Sequence, residues 1–383
     1  MKQERPGDGE RPDAAPMPHF PTTPEAERSG GDPAQISRRV ALAGGSAAAL
    51  AAALAACGGG GTKAATTGKS HVAQLPQSDT IFANRTAFRF TVVCHQTNGP
   101  LFIPLQYGLQ DACSLLGCRY QWTGSSTSDV SEMVRALNQA VAARVNGIAT
   151  TIIEAGAFDQ PVRAARAAGI PVLAYNTAVP GSPVMAFIGS DPRRSGLLIA
   201  KEIAALLPAG GTVALFAATP GTADVAPRIA VIEAQLRQHR GITVTQVATG
   251  TTAASQESAI AAYLTANPHL GGAFAVDGGS TEALAQVLAA KGLQLAAGGV
   301  DGGTETFKLV ERGAIAFTVQ QQAYLQGFLA IMQLYLYNVS EGLVGIADSD
   351  TGLQLVTRAG VKPFLQTQSR FLGSSSQPGL QPA

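Results

Sequence analysis

The chain has 383 residues, 46 % of them apolar and only 14 % charged, with a formal net charge of +1. Charge so low, with no stripe of lysine and arginine, excludes a nucleic-acid partner. Beyond an N-terminal stretch of low complexity about 290 residues remain, more than one core usually accommodates, so two lobes are expected.

In chain order, residues 1–36 are rich in proline, glycine and charge and are expected to be disordered, with Met17 as an alternative start. Ser37-Arg38-Arg39-Val40 precedes a weakly apolar run of about 16 residues and resembles a twin-arginine export signal. Leu54-Ala55-Ala56-Cys57-Gly58 resembles a lipobox. Residues 1–56 are therefore expected to be removed, and Cys57 to be acylated. The protein would sit in the periplasm or be lipid-anchored to the outer face of the cytoplasmic membrane. The competing reading, a membrane-spanning helix, relies on an alanine- and glycine-rich run at the short end of the length needed. Residues 57–85 read as a flexible tether.

From Phe88 onward short apolar runs alternate with longer amphipathic segments, the pattern of β-α-β units on a parallel sheet. Strands are expected at 88–94, 118–122, 147–153, 171–175, 184–188, 212–216, 242–247, 272–276, 296–300 and 314–319. Helices are expected between them, from Pro104–Leu116 to Tyr324–Val339. The fold class is α/β, with two doubly wound parallel-sheet lobes. Cys94, Cys113 and Cys118 match no metal or disulfide spacing and read as buried apolar residues. Cys113 and Cys118 are five apart on one expected helix, so their side chains should diverge around its axis. Residues 366–383 show no apolar periodicity and read as a disordered tail.

Doubly wound sheets bind ligands beyond the carboxyl ends of their strands. The residues there are mostly amides, carboxylates and one arginine: His95, Gln96, Asn98, Gly99 and Phe102, then Thr151, Glu154, Tyr175 and Asn176. The second half adds Arg228, Asp277, Asp301 and Gln320-Gln321. Planar paired donors and acceptors suit the vicinal hydroxyls of a sugar or polyol, and an aromatic suits its apolar C–H face. Taken one at a time, each polar residue also fits a helix cap or turn. Trp122 reads as a core or lobe-packing residue, and His95 equally as a ligand contact or a structural histidine.

Several segments together carry a resemblance. They are Asn98-Gly99-Pro100-Leu101-Phe102, Gly169-Ile170-Pro171-Val172 with Tyr175-Asn176, Ile188-Gly189-Ser190-Asp191, Val300-Asp301-Gly302, and Thr318 to Gly327. In order and spacing they resemble the ribose-binding-like type I periplasmic sugar-binding proteins of ABC transporters, from Phe88 to Phe364. The resemblance implies two lobes, 86–190 plus 322–348 and 191–321 plus 349–365, joined by a three-strand hinge. It places His95, Gly99, Leu101, Phe102, Thr151, Asn176 and Ser190 at the pocket on the first lobe. On the second it places Arg228, Thr251, Asp277 and Asp301, with Gln321 at a hinge crossover. Asn176, Thr177, Leu101 and Thr251 stand where ribose binders carry a carboxylate, an arginine and two stacking aromatics, which points away from ribose. Phe102 would be the remaining platform, helped by Tyr175 or Trp122. A pentose, hexose, polyol or modified sugar remain open.

The function implied is a monomeric substrate-binding component without cofactor or metal, closing on its sugar and delivering it to a membrane permease. Alternatives within the fold are a ligand sensor for a membrane receptor, or a binder of a nucleoside or furanosyl signal. No hydrolase elbow, zinc motif or phosphate loop appears, so an enzyme is not expected, although Asp277 and Asp301 would be the carboxylates of a glycosidase reading. A repressor of the same fold would carry a helix-turn-helix where this chain has leader and tether.

Overall fold

The computed structural model describes residues 80–82 and 85–382. The leader, Cys57 and most of the expected tether lie outside the described residues. Among those described, no helix is long and apolar enough to cross a membrane.

The alternation produces two sheets. The first half runs β1 (Arg89–Cys94), α1 (Phe102–Leu116), β2 (Arg119–Gly124), α2 (Val130–Ala142), β3 (Gly147–Thr150), α3 (Asp159–Ala167), β4 (Val172–Tyr175) and β5 (Phe187–Gly189). The second runs α4 (Pro192–Leu206), β6 (Gly211–Ala217), α5 (Ala226–Leu236), β7 (Ile242–Ala248), α6 (Ala253–Ala266), β8 (Gly272–Ala275), α7 (Gly278–Lys291), β9 (Ala296–Val300), α8 (Thr304–Arg312) and β10 (Phe317–Gln321). After it come α9 (Ala323–Val339), β11 (Ser349–Asp350), β12 (Leu353–Thr357) and α10 (Lys362–Gln366). The strand orders are β11-β5-β4-β3-β1-β2 and β12-β10-β9-β8-β6-β7. Both lobes are thus doubly wound, and only β12 runs antiparallel to its neighbour in these sheets.

The inner strands of each sheet are buried on both faces, which is why β3, β4 and β8 read as continuous apolar runs. In β1 the alternation sends Phe90, Val92 and Cys94 into one core with α1 and α9, and Val93 into another with α2 and α3. The α1/α9 pair meets on glycine. A Cβ on Gly108 would collide with the Tyr324 carbonyl, and one on Gly327 with that of Leu105. Side chains at helix starts set the register. Asp129 accepts from Ser131 and Glu132 N–H, Asp191 accepts from Arg193 N–H ahead of Pro192, and Thr252 and Ser255 form a capping box.

The chain passes between sheets at Ser190–Asp191, at Gln322 and at Thr351–Gly352. The last passage corrects the expected division, because β11 at 349–350 pairs with β5 in the first sheet. The two-residue β11 carries no apolar residue, and the alternation of β12, Leu353-Gln354-Leu355, is too short to announce a strand.

The disordered tail expected at 366–383 is also corrected. Thr367–Gln368 (β13) pairs with Gln381–Pro382 (β14), and a 3₁₀ turn at Arg370–Leu372 docks on α1 and α9. Arg370 bridges to Asp111 at 2.8 Å, donates to Gln110 at 2.8 Å and lies 4.6 Å from the Tyr107 ring centroid. Phe371 packs edge-on to Tyr324 at 4.6 Å. One cation and one ring hold the segment, and neither leaves a periodic signal. Since α10 packs on α8 through Phe364 and Phe307, the segment links the second lobe back to the first, a fourth crossing.

Candidate functional site

A cleft of about 530 Å³ opens at the carboxyl ends of both sheets, lined by loops from each lobe. From the first lobe, the turn after β1 delivers His95, Gln96, Asn98 and Gly99, and α1 opens with Phe102. Gly99 N–H donates to the Gln96 carbonyl and Phe102 N–H to that of Gly99, both at 2.9 Å, which curls the turn into the helix. Trp122 braces it, its indole N–H donating to the Thr97 carbonyl at 3.3 Å. The His95 ring stands edge-on to Phe102, centroids 5.3 Å apart. Burial holds the imidazole below its ordinary pKa, against the pull of Asp224 across the cleft, and its Nδ1 is buried without a partner. A neutral imidazole with a free nitrogen suits a hydroxyl.

The second lobe is built from charge. Arg228, in the first turn of α5, donates through Nε to Ser195 Oγ at 2.7 Å and through Nη1 to the Val276 carbonyl. Its Nη2 takes part in no hydrogen bond among the described residues. Asp277 caps α7, accepting from Ser280 N–H at 2.9 Å, Ser280 Oγ at 2.9 Å and Ala218 N–H at 2.7 Å. Burial raises its pKa, with those donors opposing. Asp301 takes a positive φ of 58°, as Asn176 does at 61° at the end of β4 in the other lobe. Burial pushes the Asp301 carboxyl up to about 6, against Arg228 and the Gln321 bonds.

Gln321 ties the lobes together. Its Nε2 donates to Asp301 Oδ2 at 2.9 Å, and its Oε1 accepts from Ser190 at 3.0 Å, Gln326 at 3.3 Å and Asn176 at 3.5 Å. Gln326 also accepts from Asn176 at 3.2 Å and donates to Thr351 at 3.5 Å. The three passages between the sheets therefore share one hydrogen-bond network beside the cleft.

The cleft brings together His95, Gly99, Leu101, Phe102, Asn176, Arg228, Thr251, Asp277, Asp301 and Gln321. Thr151 and Ser190 do not line it. Thr151 N–H continues the ladder to the Val93 carbonyl, its hydroxyl is buried and unpartnered, and Ile153 reaches the cleft instead. Ser190 is spent on the hinge. Of the two aromatic helpers, Tyr175 is a core residue bonded to the Val93 carbonyl at 3.2 Å, and Trp122 packs behind Phe102 at 6.2 Å. Phe102 itself is only 2 % exposed, so it offers an edge rather than a full ring face.

Asp224, Gln256 and Glu282 line the cleft without having been singled out from the sequence. Asp224 lies four residues before Arg228 in the loop after β6, the one sequence signal that pointed there. Gln256 is buried, with its side-chain amide in no hydrogen bond among the described residues. Burial raises the Glu282 pKa, and Glu305 and Glu257 add to it.

A family model described as a periplasmic binding protein domain matches residues 90–340. A xylose/arabinose-binding protein, XylF, of Sulfolobus acidocaldarius is 42 % identical over 306 residues, covering 76 % of this chain and 75 % of that protein. An ABC transporter solute-binding protein of Burkholderia graminis, solved in complex with D-arabinose, is 26 % identical with a TM-score of 0.69, covering 73 % of this chain and 98 % of the other. AraP, an arabinose-binding protein of Geobacillus stearothermophilus, is 26 % identical with a TM-score of 0.61, covering 73 % and 99 %.

Proposed function

We propose, from the premise that this chain belongs to the periplasmic binding protein family, that it is the sugar-binding component of an ABC importer and that its ligand is an aldopentose. The observation that carries the reading is the cleft, where His95 Nδ1, Arg228 Nη2 and the Gln256 amide stand without protein partners beside the half-buried carboxyl of Asp277 and the buried one of Asp301. These groups supply donors and acceptors from both lobes to a ligand carrying several hydroxyls. The relative described as a xylose/arabinose-binding protein and the structural relative solved with D-arabinose favour a five-carbon sugar. No chemistry in the site requires turnover, so the protein binds and releases its ligand unchanged.

The sugar bridges the lobes, and the hinge closes because the closed form satisfies groups the open form leaves unpaired. The closed surfaces would then be the form a permease distinguishes from the empty one. A thermal-shift series on the full chain with D-xylose, both arabinose enantiomers, ribose, glucose, galactose, polyols and nucleosides tests this. A ligand at about 100 times its Kd adds roughly 2.7 kcal/mol. The largest rise in Tm is expected with xylose or an arabinose. A larger rise with a hexose removes the pentose assignment, and one with a nucleoside moves the protein to another transport class.

The export signal and Cys57 support anchorage by acyl chains. Cys57→Ser is expected to move the protein from the membrane fraction to the soluble one. Retention of the variant in the membrane would instead favour a spanning segment.

A further inference from the structure

Cys113 and Cys118 do not diverge. Their sulfurs lie 3.3 Å apart. On a continuous helix, residues five apart point about 140° from each other, but α1 ends between them. Gly117 takes a left-handed φ of 71°, and Cys118 N–H turns back to the Cys113 carbonyl at 3.1 Å. This is the Schellman closure, in which the residue after the left-handed glycine folds onto the one five before it. The usual partners there are apolar side chains. Here both are thiols.

We propose that Cys113 and Cys118 form a redox-active pair that closes to a disulfide at the C-terminal end of α1. Both sit at the surface end of the first-lobe core, 6 % and 7 % exposed, outside the cleft. The hydrogen bond between them holds the Cys118 thiol below its ordinary pKa and pushes that of Cys113 up, which makes Cys118 the attacking sulfur. Cys94, fully buried and pushed up to about 12 by desolvation, is inert by comparison. An exported protein meets oxidising conditions in which such pairs close.

With a low-molecular-weight disulfide as oxidant, the Cys118 thiolate attacks one of its sulfurs and expels the first small thiolate. Cys113 then loses its proton, attacks the Cys118 sulfur and expels the second. The protein gives up two protons and two electrons, and the oxidant leaves as two thiols.

The test is to incubate the folded full chain with oxidised glutathione, quench with acid, unfold it, alkylate and weigh it. The expected product has lost two alkylatable thiols and carries no glutathione, and dithiothreitol restores both. Cys113→Ser and Cys118→Ser should each abolish that loss, while Cys94→Ser and Cys57→Ser should keep it. The Tm of the oxidised chain should exceed that of the reduced chain by a few degrees. Full alkylation after oxidation, a stable glutathione adduct on the unsubstituted chain, or a loss that survives either substitution of the pair overturns the proposal.

Discussion

The two lobes share strand order and winding but meet the cleft with opposite chemistry. The first contributes His95, Gln96, Asn98, Phe102, Ser126, Ser128 and Asn176 and, among the described residues, no carboxylate and no permanent cation. The second contributes Asp224, Glu257, Asp277, Glu282, Asp301 and Arg228. Asn176 and Asp301 make the contrast sharpest, since both hold a positive φ just after the fourth strand of their half, one as an amide and one as a carboxylate. A common scaffold thus turns a neutral face and a charged face toward the same cleft.

The strongest way to break that contrast is Arg228→Leu. It leaves Asp301 without its cation inside a closed cleft, and calorimetry should show affinity reduced on the order of 100-fold or more. Affinity within threefold of the unaltered protein would sink the idea that the second lobe grips. Gly327→Val acts on the first lobe alone. Its side chain meets the Leu105 carbonyl, and we expect destabilisation of about 3 kcal/mol, read as a fall in Tm of several degrees. An unchanged Tm would mean that α1 and α9 can separate freely.

Acid sharpens the comparison. Protonating Asp301 removes acceptors from the charged face, so affinity should weaken roughly tenfold below about pH 6. Stability runs the other way. The folded-state pKa is raised, so the contribution of Asp301 is full below the ordinary carboxylate range and is lost as pH rises through about 6. Asp301→Asn should flatten both trends relative to the unaltered protein, and a variant that keeps them moves the titration to another group. Phe102→Leu should cost about fivefold in affinity, because so little of the ring is open to the cleft. A loss equal to that of Arg228→Leu would reverse the division of labour. Arg370→Ala should lower Tm by no more than about 2 °C, as a partly exposed pair contributes little, and a larger drop would make the C-terminal link a principal brace.

Most of the β-α alternation was legible because parallel strands such as Leu173–Ala174 and Ala273–Phe274 are buried on both faces and read as apolar runs. What escaped was held by single contacts or was a short edge strand. Arg370 on Tyr107, Phe371 on Tyr324 and the antiparallel Leu353–Thr357 leave no period to detect. In the site, strand ends located Asn176 and Asp301, but the last ladder bond at Thr151 turned that position away from the cleft. Gln256 and Glu282 come from the first turns of α6 and α7, and only the packing of one loop against the next brings them to the cavity. Spacing alone misjudged Cys113 and Cys118, because one left-handed residue outweighed five residues of helical phase.

Helix α9 has a consequence for how the chain is born. It supplies Ala330, Ile331, Leu334 and Tyr335 to the first-lobe core, yet the ribosome makes it after every strand of the second sheet except β12. The lobe begun first therefore waits for its last core helix until most of the second lobe has been made. Until about residue 340 has emerged, Leu105 and Leu109 of α1 wait without the glycine-bearing partner that covers them. A nascent chain of this protein therefore carries an uncovered apolar surface on α1 through most of its synthesis.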